Sequence, residues 1–186
     1  MAQPMGLGNL GNSTLVYKRK FRWTLKINNV CGNKNIPEYY VKTAARPQLD
    51  TEELEINFLN AKSWIPGKSS WQTMTVTYYD VATQDNTALW DWICTIYEFN
   101  GANLRQASQK KDYAAEAVLT LFDGPGNALE EWTLKDVWPQ AVNWGDLDMA
   151  ANDEVNIELT LRFSQVGFVM LCPGHTPAGC FTACTK

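Results

Sequence analysis

Cys172, His175, Cys180 and Cys184 follow one another as C-x2-H-x4-C-x3-C. Thiolates and an imidazole at such intervals are zinc-knuckle ligand types. The same residues support two other readings. The intervening Pro-Gly and Pro-Ala turns can position the cysteines for disulfides within the chain or across subunits, or the thiols stay free in an unstructured tail. All three remain open. With Cys31 and Cys94 the chain has five cysteines, so at least one lies outside any intrachain pairing. His175 is the single histidine, which leaves no imidazole in the folded core for a Ser-His-Asp or Cys-His device. The pairs Glu130/Glu131 and Asp146/Asp148 have the residue types for acid/base work on a glycan. Strand alternation, however, sends Glu130 and Glu131 to opposite faces, and Asp146 and Asp148 fall in a turn where Asp serves the backbone. Both pairs read as solvated charge. Gly6-Leu7-Gly8-Asn9-Leu10-Gly11 matches G-x-G-x-x-G as text but has no strand before it. Gly67-Lys68-Ser69 ends like a phosphate loop, yet Lys62 occupies the place of its first glycine and a strand follows. No catalysis and no cofactor are expected.

The elements that hold these residues are mostly strands. From Val155 to Phe163 every odd position is apolar and every even one polar, the period of a strand with one buried face. Upstream, the parity of Trp132 and Leu134 breaks at Val137, just before Trp138-Pro139, and resumes at Val142 and Trp144. This predicts a strand that bends or bulges over residues 136–139, because proline cannot donate to a central ladder. Residues 145–153 form the turn that follows. Phe21, Trp23, Leu25 and Ile27 mark the first strand, residues 38–43 a short one, and Leu54, Ile56 and Phe58 one face of another. Residues 60–70 read as a loop, with Pro66-Gly67 as its turn signal. Trp64 and Ile65 in it either fold back on the core or anchor a partner. Met74, Val76 and Tyr78 mark the next strand.

One segment changes period. Leu89, Trp92, Ile93 and Ile96 make a helical stripe, with Asp85, Asn86 or Thr87 as N-cap and Gly101 as C-cap. Cys94 within it reads as a small buried hydrophobe. Residues 101–113 read as a loop, 115–122 as a strand and 123–127 as a turn. The result is a mostly β fold of two packed antiparallel sheets, a sandwich or barrel of about seven strands, with one flanking helix.

At 186 residues, 45% of them hydrophobic, the chain can bury one sizeable core. Three stretches are distinguished: an arm of residues 1–16, the β domain of 17–166 and a cysteine-bearing extension of 167–186. A net charge of −4 opposes non-specific attraction to nucleic acid or anionic membrane. The cluster Lys18, Arg19, Lys20 and Arg22 reads as a solvated strand edge. The start has neither a charged region nor an apolar run of the secretory type, and no apolar stretch approaches a membrane span. Synthesis in a cytoplasm, without membrane anchoring, is the expectation.

The segments Ile65-Pro66-Gly67-Lys68 with Trp71, residues 132–139, and Asn143-Trp144-Gly145, in that order, resemble the tail tube proteins of contractile-tailed bacteriophages over residues 17–166. The resemblance implies a fold related to the ring proteins of type VI secretion and a structural role. Six copies would form a ring, and rings would stack into a hollow tube inside a contractile sheath. That tube pierces the host envelope and conducts DNA without binding it specifically. It further implies a virion protein made in the bacterial cytoplasm, with sheath, baseplate and tail terminator proteins as partners. Trp64, Ile65, Pro66, Gly67 and Lys68 would reach a neighbouring ring. The end departs from the family pattern, which commonly stops soon after the last strand; here Cys172, Cys180 or Cys184, with Cys31, is expected to crosslink subunits or rings once the virion leaves the reducing cytoplasm. A secretion-type ring protein is the nearest alternative. A glycan-binding β-sandwich using its tryptophans is the next, and a zinc- or thiol-dependent redox enzyme the last.

Overall fold

The computed structural model describes residues 17–30, 34–82, 87–97 and 109–171. Ten strands are present among them. In chain order they are β1 (Trp23–Val30), β2 (Lys34–Ile36), β3 (Val41–Ala44), β4 (Leu49–Phe58), β5 (Ala61–Trp71), β6 (Met74–Tyr79), β7 (Ala115–Phe122), β8 (Ala128–Asn143), β9 (Asn156–Arg162) and β10 (Gln165–Met170). A 3-10 turn, Glu38–Tyr40, occupies half of the stretch expected as a strand before β3. The helices are α1 (Thr87–Ile96) and a single turn, α2 (Lys110–Tyr113), where a loop was expected.

Eight strands form one antiparallel sheet in the order β2-β1-β7-β8-β9-β6-β3, with β10 added to β8. The sheet folds because β8 changes partners along its length. Its first half lies between β7 and β10, with Leu121 opposite Glu130 and Val166 opposite Leu134. Its second half pairs with β9, from Trp138 opposite Arg162 to Asn143 opposite Glu158. The switch falls where the parity of the sequence breaks. Asp136 takes a positive φ of 58°, and the register slips between Pro139 and Ala141, so the missing N–H of Pro139 lies at a bulge.

The faces enclosed by this fold make the core. Leu25 and Ile27 of β1, Val76 and Tyr78 of β6, Leu134 of β8 and Leu159 of β9 are all buried there. Ile157, Leu161 and Phe163 follow the expected alternation inward, whereas Val155 stays at the surface. So does Phe21, which precedes β1 rather than belonging to it. Helix α1 closes one side with Ala88, Leu89, Trp92 and Ile93 buried. The indole N–H of Trp92 donates to the carbonyl of Tyr113 at 2.7 Å. Cys94, two residues past Trp92 and so about 200° around the helix, is exposed, contrary to the buried reading. The turn between β7 and β8 is held by Asp123, whose carboxylate accepts the N–H groups of Gly126 and Asn127 at 2.8 and 2.7 Å.

Candidate functional site

Strands β4 and β5 form a separate hairpin that stands off the main sheet. Residues 60–70 are therefore not a loop. The turn is Leu59-Asn60, and Pro66-Gly67 lies within β5. The register explains how. Thr51 pairs with Ser69 but Glu53 pairs with Pro66, so β5 carries one extra residue at Gly67-Lys68. Pro66 borders this bulge, where the ladder is interrupted and a missing N–H is tolerated. A Cβ on Gly67 would come within 3.1 Å of the Glu52 carbonyl oxygen, which favours glycine there.

Cross-strand pairing divides the hairpin into two faces. Leu54 with Ile65, Ile56 with Ser63 and Phe58 with Ala61 make an apolar stripe on one. Trp64 pairs with Glu55 on the other, where Lys62 forms an ion pair with Glu55 at 2.7 Å. Trp64 and Ile65, adjacent in sequence, thus point to opposite sides, and neither folds back on the core. Every β4 residue is exposed. Phe58 at 73% and Leu59 at 92% are the extreme cases. Leu59 also adopts φ of 53°, a conformation that costs a branched L-residue about 1–2 kcal/mol. Exposure and strain together disfavour this tip in an isolated subunit.

A second feature lies at the root of the hairpin. A cavity of about 430 Å³ is lined by Lys18, Arg19 and Lys20 ahead of β1, by Lys42 of β3 and by Arg46. Its floor is Trp23, Ala44, Leu119 and Leu121. Lys18 and Arg46 both donate to the carboxylate of Glu130, which is 1% exposed, and the Trp132 indole reaches the same carboxylate at 3.2 Å. Glu130 is thus a buried ion-pair centre, not solvated charge, and Lys18, Arg19 and Lys20 of the basic cluster, all exposed, line a cavity ahead of β1. Burial pushes the Glu130 carboxyl upward, but the bonds from Lys18, Trp132 and Arg46 outweigh it and hold it below the ordinary 4.5.

The loop after β8 is a third feature. Asp146, Leu147, Asp148 and Met149 are all exposed, and Asp148 accepts the Ala150 N–H at 2.9 Å. Beside it Trp144 stacks on Trp90 of α1, the ring centroids 4.5 Å apart and the planes 10° from parallel. Each ring covers one face of the other.

Cys31, Cys172, His175, Cys180 and Cys184 lie outside the described residues. Among the described residues no group of three or more His, Cys, Asp or Glu could hold a metal ion. No described helix is long and apolar enough to cross a membrane.

No family model matches the chain. A tail tube protein of Serratia phage KSP90 is 29% identical over 105 residues, 54% of this chain and 56% of that protein. The chain thus spans about half the length of the curated relative it matches. The tube-terminating cap of the anti-feeding prophage is similar over 86% of this chain and 95% of its own, with a TM-score of 0.65 and 14% identity. A chain of the sheath-tube complex of the extracellular contractile injection system PVC is similar over 89% and 99%, with a TM-score of 0.57 and 16% identity. These structures share the fold of this chain.

Proposed function

We propose that this chain is a structural tail tube protein, whose copies form six-fold rings stacked into the hollow inner tube of a contractile tail. The observation that carries the reading is the β4–β5 hairpin. Its apolar stripe and strained, exposed tip lack a partner among the described residues, on a fold shared with components of tube-bearing assemblies. A neighbouring copy, in the same ring or the next, is the occupant that removes the exposure and offsets the strain. Trp64, Ile65, Pro66, Gly67 and Lys68 belong to that interface, with Trp64 and Ile65 contacting different surfaces because they face opposite ways. The sheath encloses the tube, and baseplate and terminator proteins end it. The acidic balance of the chain suits a lumen through which DNA passes without capture. The protein acts without catalysis, in the virion, after synthesis in the host cytoplasm.

The arm of residues 1–16 orders at a subunit interface, and the extension of 167–186 crosslinks subunits through its cysteines. Negative-stain electron microscopy of purified protein, with and without reductant, tests the whole. Six-fold rings or hollow tubes are expected, with covalent oligomers on non-reducing gels. Dispersed monomers at high concentration would overturn the tube reading, and monomer alone on those gels the crosslink.

A further inference from the structure

The cavity between β1, β3 and β7 has more positive charge at its mouth than its own chain neutralises. Lys18 and Arg46 are engaged by Glu130, and Lys42 is 3.6 Å from Glu154. Among the described residues Arg19 and Lys20 take part in no ion pair. Cations around an apolar floor focus an attractive field for a ligand that combines carboxylates with apolar groups.

The loop of residues 146–149 has that composition. Asp146 and Asp148 alternate with Leu147 and Met149, and all four side chains are exposed ahead of the turn that Asp148 closes by accepting the Ala150 N–H at 2.9 Å. Neither Asp forms an ion pair among the described residues. Leu147 is 84% exposed and Met149 wholly so. On the hairpin, Glu55 is held by Lys62 and Asp50 accepts the side-chain amides of Gln48 and Gln72.

We infer that residues 146–149 of one copy dock in the cationic cavity of a second copy, Leu147 and Met149 on its floor and Asp146 and Asp148 against Arg19 and Lys20. The contact joins two different surfaces, so it propagates head to tail, as ring or stack formation requires. It rests on the tube reading and supplies that reading with an interface separate from the hairpin.

Two charge-reversed variants test it: Arg19→Glu with Lys20→Glu, and Asp146→Lys with Asp148→Lys. All four sites are exposed, so each variant should stay folded, the loop variant losing only the bond from the Ala150 N–H to Asp148. By sedimentation velocity each alone should need at least about ten times the wild-type concentration to assemble. Mixed in equal amounts they should assemble again, because basic loops then meet acidic cavities and acidic loops meet basic ones, and six positions allow strict alternation. Occupation of the cavity by the loop of the same chain could not give that rescue. Wild-type assembly by either variant alone, or two folded variants that stay apart when mixed, would overturn the inference. Should the wild type itself not assemble, a synthetic peptide of residues 143–152 separates the two proposals. Binding by wild type, lost in the Arg19/Lys20 variant, keeps the docking and rejects the tube; no binding rejects both.

Discussion

Replacing Glu130 with Gln preserves shape and removes only the charge, which makes it a direct measure of the buried ion-pair centre. In the wild type the carboxylate accepts from Lys18, Arg46 and Trp132. A net hydrogen bond to a charged group is worth about 1.5–3 kcal/mol, so the two cationic donors set an upper range of about 3–6 kcal/mol. The side chains of Lys18 and Arg46 are 40% and 54% exposed, so solvent screens the attraction and both can swing into water when it is lost. The amide oxygen of Gln still serves one of them. A loss of about 2–3 kcal/mol is therefore expected at pH 7, or about 5–10 °C in Tm for a chain of this length. The pH dependence gives an independent check. Because the folded carboxyl lies below its ordinary 4.5, its stabilisation is complete above about 4.5 and disappears as pH falls through the folded value. Gln does not titrate, so the gap between the two proteins should be level from pH 7 to about 5 and close below that. Urea unfolding of dispersed subunits across this range is the assay. A gap under about 0.5 kcal/mol at pH 7, or one that persists unchanged in acid, would refute the ion-pair account.

Leu159, fully buried in β9, should cost about 2–5 kcal/mol on change to Ala, read as a lower urea midpoint. The Tyr78 hydroxyl is buried with no hydrogen-bond partner among the described residues, and burial pushes its pKa upward; Tyr78→Phe should raise stability by about 1 kcal/mol, whereas a loss would reveal a partner. Phe58→Asp at the hairpin tip should leave subunit stability within about 0.5 kcal/mol while abolishing rings or tubes in the electron microscope. Leu59→Gly relieves the positive φ and should stabilise the dispersed subunit slightly, yet weaken assembly.

Local periodicity carried much of the fold. The alternation in β9, the helical stripe of α1 and the parity break in β8 are each settled by neighbours a few residues apart, and the structure follows them. Cys94 was within reach of the same rule, since it stands off the stripe that defines α1. Strand β5 was not, because Pro66-Gly67 resembles a turn and only the pairing with β4 shows the bulge that accommodates it. The true turn, Leu59-Asn60, contains no glycine to signal it. Glu130 was beyond local reasoning altogether. Its partners are 112 and 84 residues away in the chain, and an isolated Glu-Glu pair gives no sign of which carboxylate will be buried. The hairpin faces were half legible: the shared side of Leu54, Ile56 and Phe58 followed from parity, but their exposure depends on where the hairpin stands relative to the main sheet.

Strand β8, hydrogen-bonded to β7 and β10 in its first half and to β9 in its second, leaves the eight-stranded sheet no seam along which to open. Peeling either half away from its neighbours requires breaking ladders on the same continuous backbone. Its central amides should therefore exchange with deuterium only through complete unfolding, while the β4–β5 hairpin exchanges orders of magnitude faster. Among the described residues, such a sheet should transmit a pull or push along its length with little internal give, and the projecting hairpin should be its most compliant part.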